Sequence, residues 1–255
     1  MNKAYIFDFD DNILYMDTKV LMERLVDDKW KHVRLSTSKY AMVRKDPDYR
    51  PYKNNFQISF IEFTDLGSRG SNAFLCDVDR AIDKKKFGPS YNDFKECILS
   101  GSPFAIVTAR GHSKSVIKEA IKHLVYKCFN DDEKETIRQN IIFKNEYSQV
   151  SSILMFSNIL DRYLETCQYM CVTSPEFISD IQKSDLSIEE CKALALKMVI
   201  NRMINQCDIN SIGFSDDDTN NIHAIQKSIE DDLKLEFPDI DFAIYDTSKR
   251  IKKKL

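Results

Sequence analysis

Five short apolar runs constrain what this chain can fold into: Ala4–Phe7, Phe104–Val107, Tyr169–Val172, Ile209–Phe214 and Phe242–Tyr245. Each is strand-length and bounded by polar or turn residues, which is how a strand buried on both faces of a parallel sheet reads. Helical patterns lie between them. Val116, Ile117, Ala120, Ile121, Leu124 and Val125 recur at helical spacing. Leu186 to Ile204 does the same, with Ser187 and Glu190 forming a capping-box pair, and Asn221 to Leu235 predicts a third helix. Strands alternating with helices predict an α/β fold whose core is a doubly wound, Rossmann-like parallel sheet.

Two stretches break the alternation. Residues 15–87 are far too many for a β–α connection and predict an inserted cap. Within them Gln57–Phe63 alternates with the period of a strand, and Gly67–Ser71 reads as a turn. The core is then 1–14 with 88–255, carrying a smaller insertion around 129–166 that is rich in Asn, Asp, Glu and Ser.

Composition narrows the class. The chain has 255 residues, 43% hydrophobic, with 37 Lys+Arg against 40 Asp+Glu. That apolar content excludes a disordered or fibrous chain, and balanced charge gives no argument for a nucleic-acid partner. No run reaches the roughly eighteen apolar residues of a membrane span, so no membrane partner is expected. The first residues lack the pattern of a signal peptide. Seven cysteines, an odd number without framework spacing, read as reduced thiols in a cytoplasmic protein. Cys167 and Cys171, four apart with no paired histidine, read as buried thiols.

The polar residues that follow the apolar runs point to a site. Asp8 and Asp10 follow the first, Thr108 the second, Asp216 and Asp217 the fourth, and Asp246 the fifth. In open α/β sheets, ligands bind at the carboxyl ends of the strands, so these residues converge on one edge. Singly, each is an ordinary loop or cap residue; together they are a constellation.

The segment Tyr5-Ile6-Phe7-Asp8-Phe9-Asp10-Asp11-Asn12 resembles the first motif of the haloacid dehalogenase superfamily, an apolar strand followed by Asp-x-Asp. Phe104-Ala105-Ile106-Val107-Thr108-Ala109-Arg110 is similar to the second, Lys192 at a helix start to the third, and Ile212-Gly213-Phe214-Ser215-Asp216-Asp217 with Asn220-Asn221-Ile222 to the fourth. The resemblance implies a Mg²⁺-dependent phosphohydrolase working through an aspartyl-phosphate. It assigns Asp8 as nucleophile and Asp10 as general acid and base. It gives Thr108, with the neighbouring Ala109 and Arg110, the phosphoryl group to bind, and Lys192 the phosphoaspartate to neutralise. Asp8, the Asp10 carbonyl and Asp217, with Asp216 beside it, would hold the metal, a hard cation wanting oxygen ligands.

Several alternatives stay open. The fourth motif has two registers, Asp216 with Asn220 or Asp217 with Asn221, and the second better matches the family's run. Lys183 and Lys197 rival Lys192. Asn12 stands where the family often has Thr or Val. Arg110 either grips an anionic substrate or pairs with a site carboxylate, and His112 is a candidate cap for the following helix. Tyr40, Tyr49, Tyr52, Phe56 and Phe60 line a pocket or, more commonly, form the cap's own core. The basic tail Lys249–Lys254 contacts phosphates or, more commonly, is a solvated end. The expected substrate is a phosphorylated small molecule. A nucleotide or nucleic-acid end is the second choice, and a catalytically idle binding protein the third.

Overall fold

A computed structural model describes residues 3–144, 155–182, 186–206 and 209–255. Its strands are β1 (Lys3–Phe7), β2 (Val20–Val26), β3 (Lys29–Leu35), β4 (Tyr49–Pro51), β5 (Phe104–Thr108), β6 (Gln168–Cys171), β7 (Ser211–Asp216), β8 (Asp241–Asp246) and β9 (Lys253–Lys254). The helices are α1 (Thr37–Val43), α2 (Phe56–Ser59), α3 (Asn72–Asp83), α4 (Tyr91–Leu99), α5 (Lys114–Cys128), α6 (Asp131–Lys144), α7 (Phe156–Thr166), α8 (Pro175–Ile181), α9 (Ile188–Gln206), α10 (Thr219–Ser228) and α11 (Lys234–Glu236).

Each of the five apolar runs supplies a strand of one six-stranded sheet, ordered β6-β5-β1-β7-β8-β9. The first five are mutually parallel, and only β9 runs antiparallel. The alternation of side chains feeds both faces. Ala4, Ile6, Ala105 and Val107 join Phe177, Ala195, Val199 and Ile225 of α8, α9 and α10. Phe7, Phe104 and Ile106 join Phe74, Phe94, Ile121 and Leu160 of α3, α4, α5 and α7. A strand covered on both sides has no place for a charge, which is why these runs are apolar throughout.

Helix α9 opens as a capping box: the Ser187 amide donates to Glu190 Oε2 at 2.8 Å, and the Glu190 amide to Ser187 Oγ at 3.2 Å. The third expected helix starts at Thr219 as α10, passes through a π turn at Ile229–Leu233 and ends as α11.

The long stretch after β1 divides. Strands β3-β2-β4 form a separate antiparallel sheet around Val20, Met22 and Phe63, with Tyr40, Tyr49 and Phe60 packed on it. Its β2–β3 turn holds Asp27 and Asp28 at φ +52° and +57°, the two-residue turn in which aspartate tolerates left-handed backbone. Helix α3, by contrast, packs Phe74, Val78 and Ala81 into the main core. Helices α6 and α7 do the same through Ile137, Ile141 and Tyr163, whose hydroxyl donates to the Ser102 carbonyl at 2.6 Å.

One expectation is corrected. Gln57–Phe63 is not a strand: Asn55 caps α2 by accepting from the Ile58 amide at 3.1 Å, and a 3₁₀ turn spans Ile61–Phe63. A local cap outweighs an alternation seven residues long. The basic tail is mostly exposed, a solvated end that nevertheless pairs with the sheet. β9 pairs with β8, Lys252 Nζ meets Asp93 Oδ1 at 2.7 Å, and the same ammonium lies 3.8 Å from the Tyr245 ring centre. Among the described residues no helix is long and apolar enough to cross a membrane, and Cys76, Cys97, Cys128, Cys167, Cys171 and Cys191 are thiols rather than disulfides.

Candidate active site

β1 and β7 lie side by side, and their carboxyl ends carry Asp8, Asp216 and Asp217. The Asp8 amide donates to the Ser215 carbonyl at 2.9 Å, which carries the β1–β7 pairing one residue past the strand. Lys192, near the start of α9, reaches between the two strands. Its Nζ donates to Asp8 Oδ1 at 2.8 Å and to Asp216 Oδ2 at 2.9 Å, and all three side chains are buried. Of the rival lysines, Lys197 faces Asp232 and Glu236 at the surface, and Lys183 lies outside the described residues.

One ligand oxygen each from Asp8, Asp216 and Asp217 lies within 4.8 Å of the others, a grouping able to hold a metal ion. Three carboxylates share one ammonium here, so the cluster is over-charged. Burial pushes Asp8 well above the carboxylate range, with the Lys192 charge opposing. Asp217 is pushed up to about 9, first by burial and then by the charges of Asp8 and Asp216. A divalent cation with oxygen preference would relieve that repulsion, and carboxylate oxygens are the donors such an ion takes. The Asn221 amide donates to both oxygens of Asp216 at 3.2 Å, and the Asp218 amide donates to Asp216 Oδ1 at 2.9 Å. Geometry thus joins Asp216 with Asn221, a pairing outside both registers considered, and leaves Asp217 as the less committed carboxylate.

Thr108 ends β5, directly beside β1, and is buried; the Arg110 amide donates to its Oγ1 at 3.4 Å. Ala109 is exposed between them. Of the two readings of Arg110, the structure has the carboxylate pair. Nε donates to Asp10 Oδ2 and Nη2 to Asp10 Oδ1, both at 2.7 Å, and the guanidinium lies against the rings of Phe63 and Phe74. His112 does not cap α5; Asp65 accepts from the Ser113 amide at 2.9 Å instead. Fully buried beside Phe74, the imidazole is held neutral, its pKa lowered to about 3 by burial and then by the Arg110 charge.

Asn12, which stands where the family often has Thr or Val, ties the site together. Fully buried, its Nδ2 donates to the Asp8 carbonyl at 2.9 Å and to Ser215 O and Oγ at 3.1 and 3.0 Å. Its Oδ1 accepts from Thr247 Oγ1 at 3.0 Å, so one side chain ties together the ends of β1, β7 and β8. Thr18, Asp77 and Arg69 were also unforeseen. Arg110 Nη2 donates to Thr18 Oγ1, which donates to Asp77, which accepts two bonds from Arg69. No sequence signal marks these three, since each is a common polar type in a segment without a motif.

No protein-family model, curated protein or solved structure significantly matches the chain.

Proposed function

We propose that this chain is a Mg²⁺-dependent phosphohydrolase of the haloacid dehalogenase type, acting on a phosphorylated small molecule. The observation that carries the reading is Lys192 bridging Asp8 and Asp216 at the carboxyl ends of neighbouring strands, with Asp217 and Thr108 alongside. The strand order supports a doubly wound, Rossmann-like core. β1 lies centrally, with β5 and β6 on one side and β7 and β8 on the other, so the connections diverge where Asp8 stands. The β3-β2-β4 sheet is the natural candidate for the cap, and thiols rather than disulfides support a cytoplasmic setting.

The chemistry follows from charge and position. Asp8 attacks phosphorus, and the ester P–O bond breaks as Asp10, having first taken up a proton from solvent, gives it to the leaving oxygen. Water then attacks the phosphoaspartate, passing its proton to Asp10, and Asp8 returns as carboxylate. Thr108 donates its hydroxyl to a phosphoryl oxygen, and Lys192 holds the Asp8 carboxylate in line. Mg²⁺, held by Asp8, Asp217 and the Asp10 carbonyl, would offset the repulsion between nucleophile and phosphate. Arg110 fixes the Asp10 carboxylate through one lone pair on each oxygen, which leaves further lone pairs for the travelling proton.

Phosphate release from an aryl phosphate tests the reading. Turnover that disappears with EDTA and in Asp8→Asn supports it; turnover unchanged in Asp8→Asn overturns the nucleophile. No turnover on any phosphorylated compound of a broad panel would favour an idle binding protein. A nucleic-acid end is the second reading, favoured by the surface described next.

A further inference from the structure

One face of the small antiparallel sheet carries polar, charged and aromatic side chains. Its register sets Val20 opposite Leu35 and Met22 opposite Val33, and these cluster with Phe63 on the inner face. Alternation therefore places the pairs Leu21–Arg34, Glu23–His32 and Leu25–Trp30 on the outer face, with Arg50 opposite Glu23. Cations and rings interleave there. The Arg50 guanidinium lies 4.1 Å from the centre of Trp30, the chain's single tryptophan, while its Nε donates to Glu23 at 2.7 Å. The His32 and Tyr52 rings are 4.5 Å apart, and Lys53 Nζ sits 5.3 Å from the Tyr52 ring. His32, Arg34 and Lys53 are exposed.

We propose that this face is a docking surface for single-stranded nucleic acid. Charge supports it. Residues 19–54 carry ten Lys and Arg against five Asp and Glu, in a chain whose net charge is -3. Glu23 is already bound by Arg50 and Asp27 is paired with Lys31, which leaves the cations in excess. Unstacked bases lie on aromatic or guanidinium planes whatever their sequence, while cations track the phosphates. A face needing only solubility calls for charge, not for tryptophan, histidine and tyrosine layered with it. A membrane-docking face would instead present exposed large apolar side chains, and none of those in the described residues lies on β2, β3 or β4. The surface is independent of the chemistry at Asp8, and its test needs no turnover.

The experiment is fluorescence anisotropy of labelled, unphosphorylated dT and U oligomers of about twenty nucleotides with the full chain in EDTA. Saturable binding of either polymer that weakens steeply with salt is expected. Arg34→Glu combined with Lys53→Glu, surface changes that leave thermal melting in place, should weaken it by about tenfold or more, as should Trp30→Ala. Absence of saturable binding at about 50 mM salt overturns the proposal, as does unchanged affinity in the charge-reversed variant. Equal binding of polyglutamate would show general polyanion capture and overturn it as well. So would tighter binding to phosphatidylserine vesicles that the oligomers do not displace. Loss of aryl phosphate turnover with oligomer binding intact would sink the phosphohydrolase reading alone.

Discussion

Asp10 and Arg110 are joined by a two-pronged ion pair, with Nε to Oδ2 and Nη2 to Oδ1 both at 2.7 Å, one hundred positions apart in sequence. Arg110 is only 1% exposed and so has exchanged its water for this carboxylate, Thr18 and two aromatic rings. The pair does not end there. Thr18 passes the contact to Asp77, and Arg69 binds Asp77 and then Glu62, which also accepts from Ser68. A chain of alternating charge, buried at Arg110, Thr18 and Asp77 and partly exposed at Arg69, thus runs from the proposed acid–base residue into the segment between the small sheet and α3.

Arg110→Met removes one partner of this buried pair and should cost about 3–5 kcal/mol of stability. Arg110→Lys keeps the charge but supplies a point donor instead of a planar fork, so it should be the milder change in folding. Under the proposed mechanism both release Asp10 from its fixed plane, and turnover should fall by about 100- to 10,000-fold, the range of a positioned acid–base group. Urea denaturation and aryl phosphate release on the same samples separate the two effects. Arg110→Lys with full turnover would show that Asp10 needs no clamp.

Asn12→Ala should destabilise the chain by about 2–4 kcal/mol, because it strands buried donors and acceptors at three strand ends. Asn12→Asp is nearly the same size yet turns the donor that meets the Asp8 and Ser215 carbonyls into an acceptor. It should be no better tolerated. Thermal melting of the two variants checks this; an Asn12→Asp variant as stable as the native chain would remove Asn12 as the tie between β1, β7 and β8.

The central strands were legible because each is covered on both faces, which forces an unbroken apolar run; Ile106 and Phe214 have no exposed neighbours in their strands to interrupt the pattern. β2 and β3 were not, because charge falls on both faces of their sheet, Glu23 and Arg34 on the outer and Arg24 and Lys31 at the end of the inner, and breaks up the apolar positions. Asp8, Thr108 and the Asp216–Asp217 pair stood out because strand ends put chemistry-bearing residues at fixed places, and Lys192 because it stands at a helix start. The chain from Arg110 to Glu62 did not, since Thr18 and Asp77 are 59 positions apart and ordinary in type. Asn221 bonding to Asp216 also escaped sequence reading, because spacing alone does not say which of two adjacent carboxylates a buried amide in α10 meets.

Asp217 gives a pH dependence with a definite sign. Its folded pKa of about 9 lies above its ordinary value, because folding buries the charged form among other carboxylates. The stability tied to its protonated form is therefore full below the ordinary carboxylate pKa and is lost as pH rises toward 9. Asp17, lowered to about 2 by its bonds to Lys86 and Lys84, works the opposite way, and its contribution is lost only on acidification through its folded pKa. Between about pH 5 and 9 the metal-free chain should thus become less stable with pH, and Mg²⁺ should flatten the decline. Asp217→Asn should make it shallower without metal, leaving the share that belongs to Asp8. Melting temperatures across this range, with EDTA or Mg²⁺, read both; a curve indifferent to Mg²⁺ would argue against a metal at Asp217.

The last strand makes a prediction about association. β9 covers the outer edge of β8 through pairs at Tyr245–Lys254 and Asp246–Lys253, and the Leu255 amide donates to the Ile244 carbonyl at 3.0 Å. An uncovered edge is a row of unpaired donors and acceptors open to another chain. Removing residues 252–255 takes away those bonds and the Lys252–Asp93 ion pair. The loss should be about 1–3 kcal/mol, a few hydrogen bonds and one partly exposed ion pair. Lys252→Ala alone should lose less than about 1 kcal/mol, because it keeps the backbone ladder. Light scattering should then find self-association in the truncated chain but not in Lys252→Ala. A truncated chain that stays monomeric, with unchanged denaturation midpoint, would mean that β8 needs no cover.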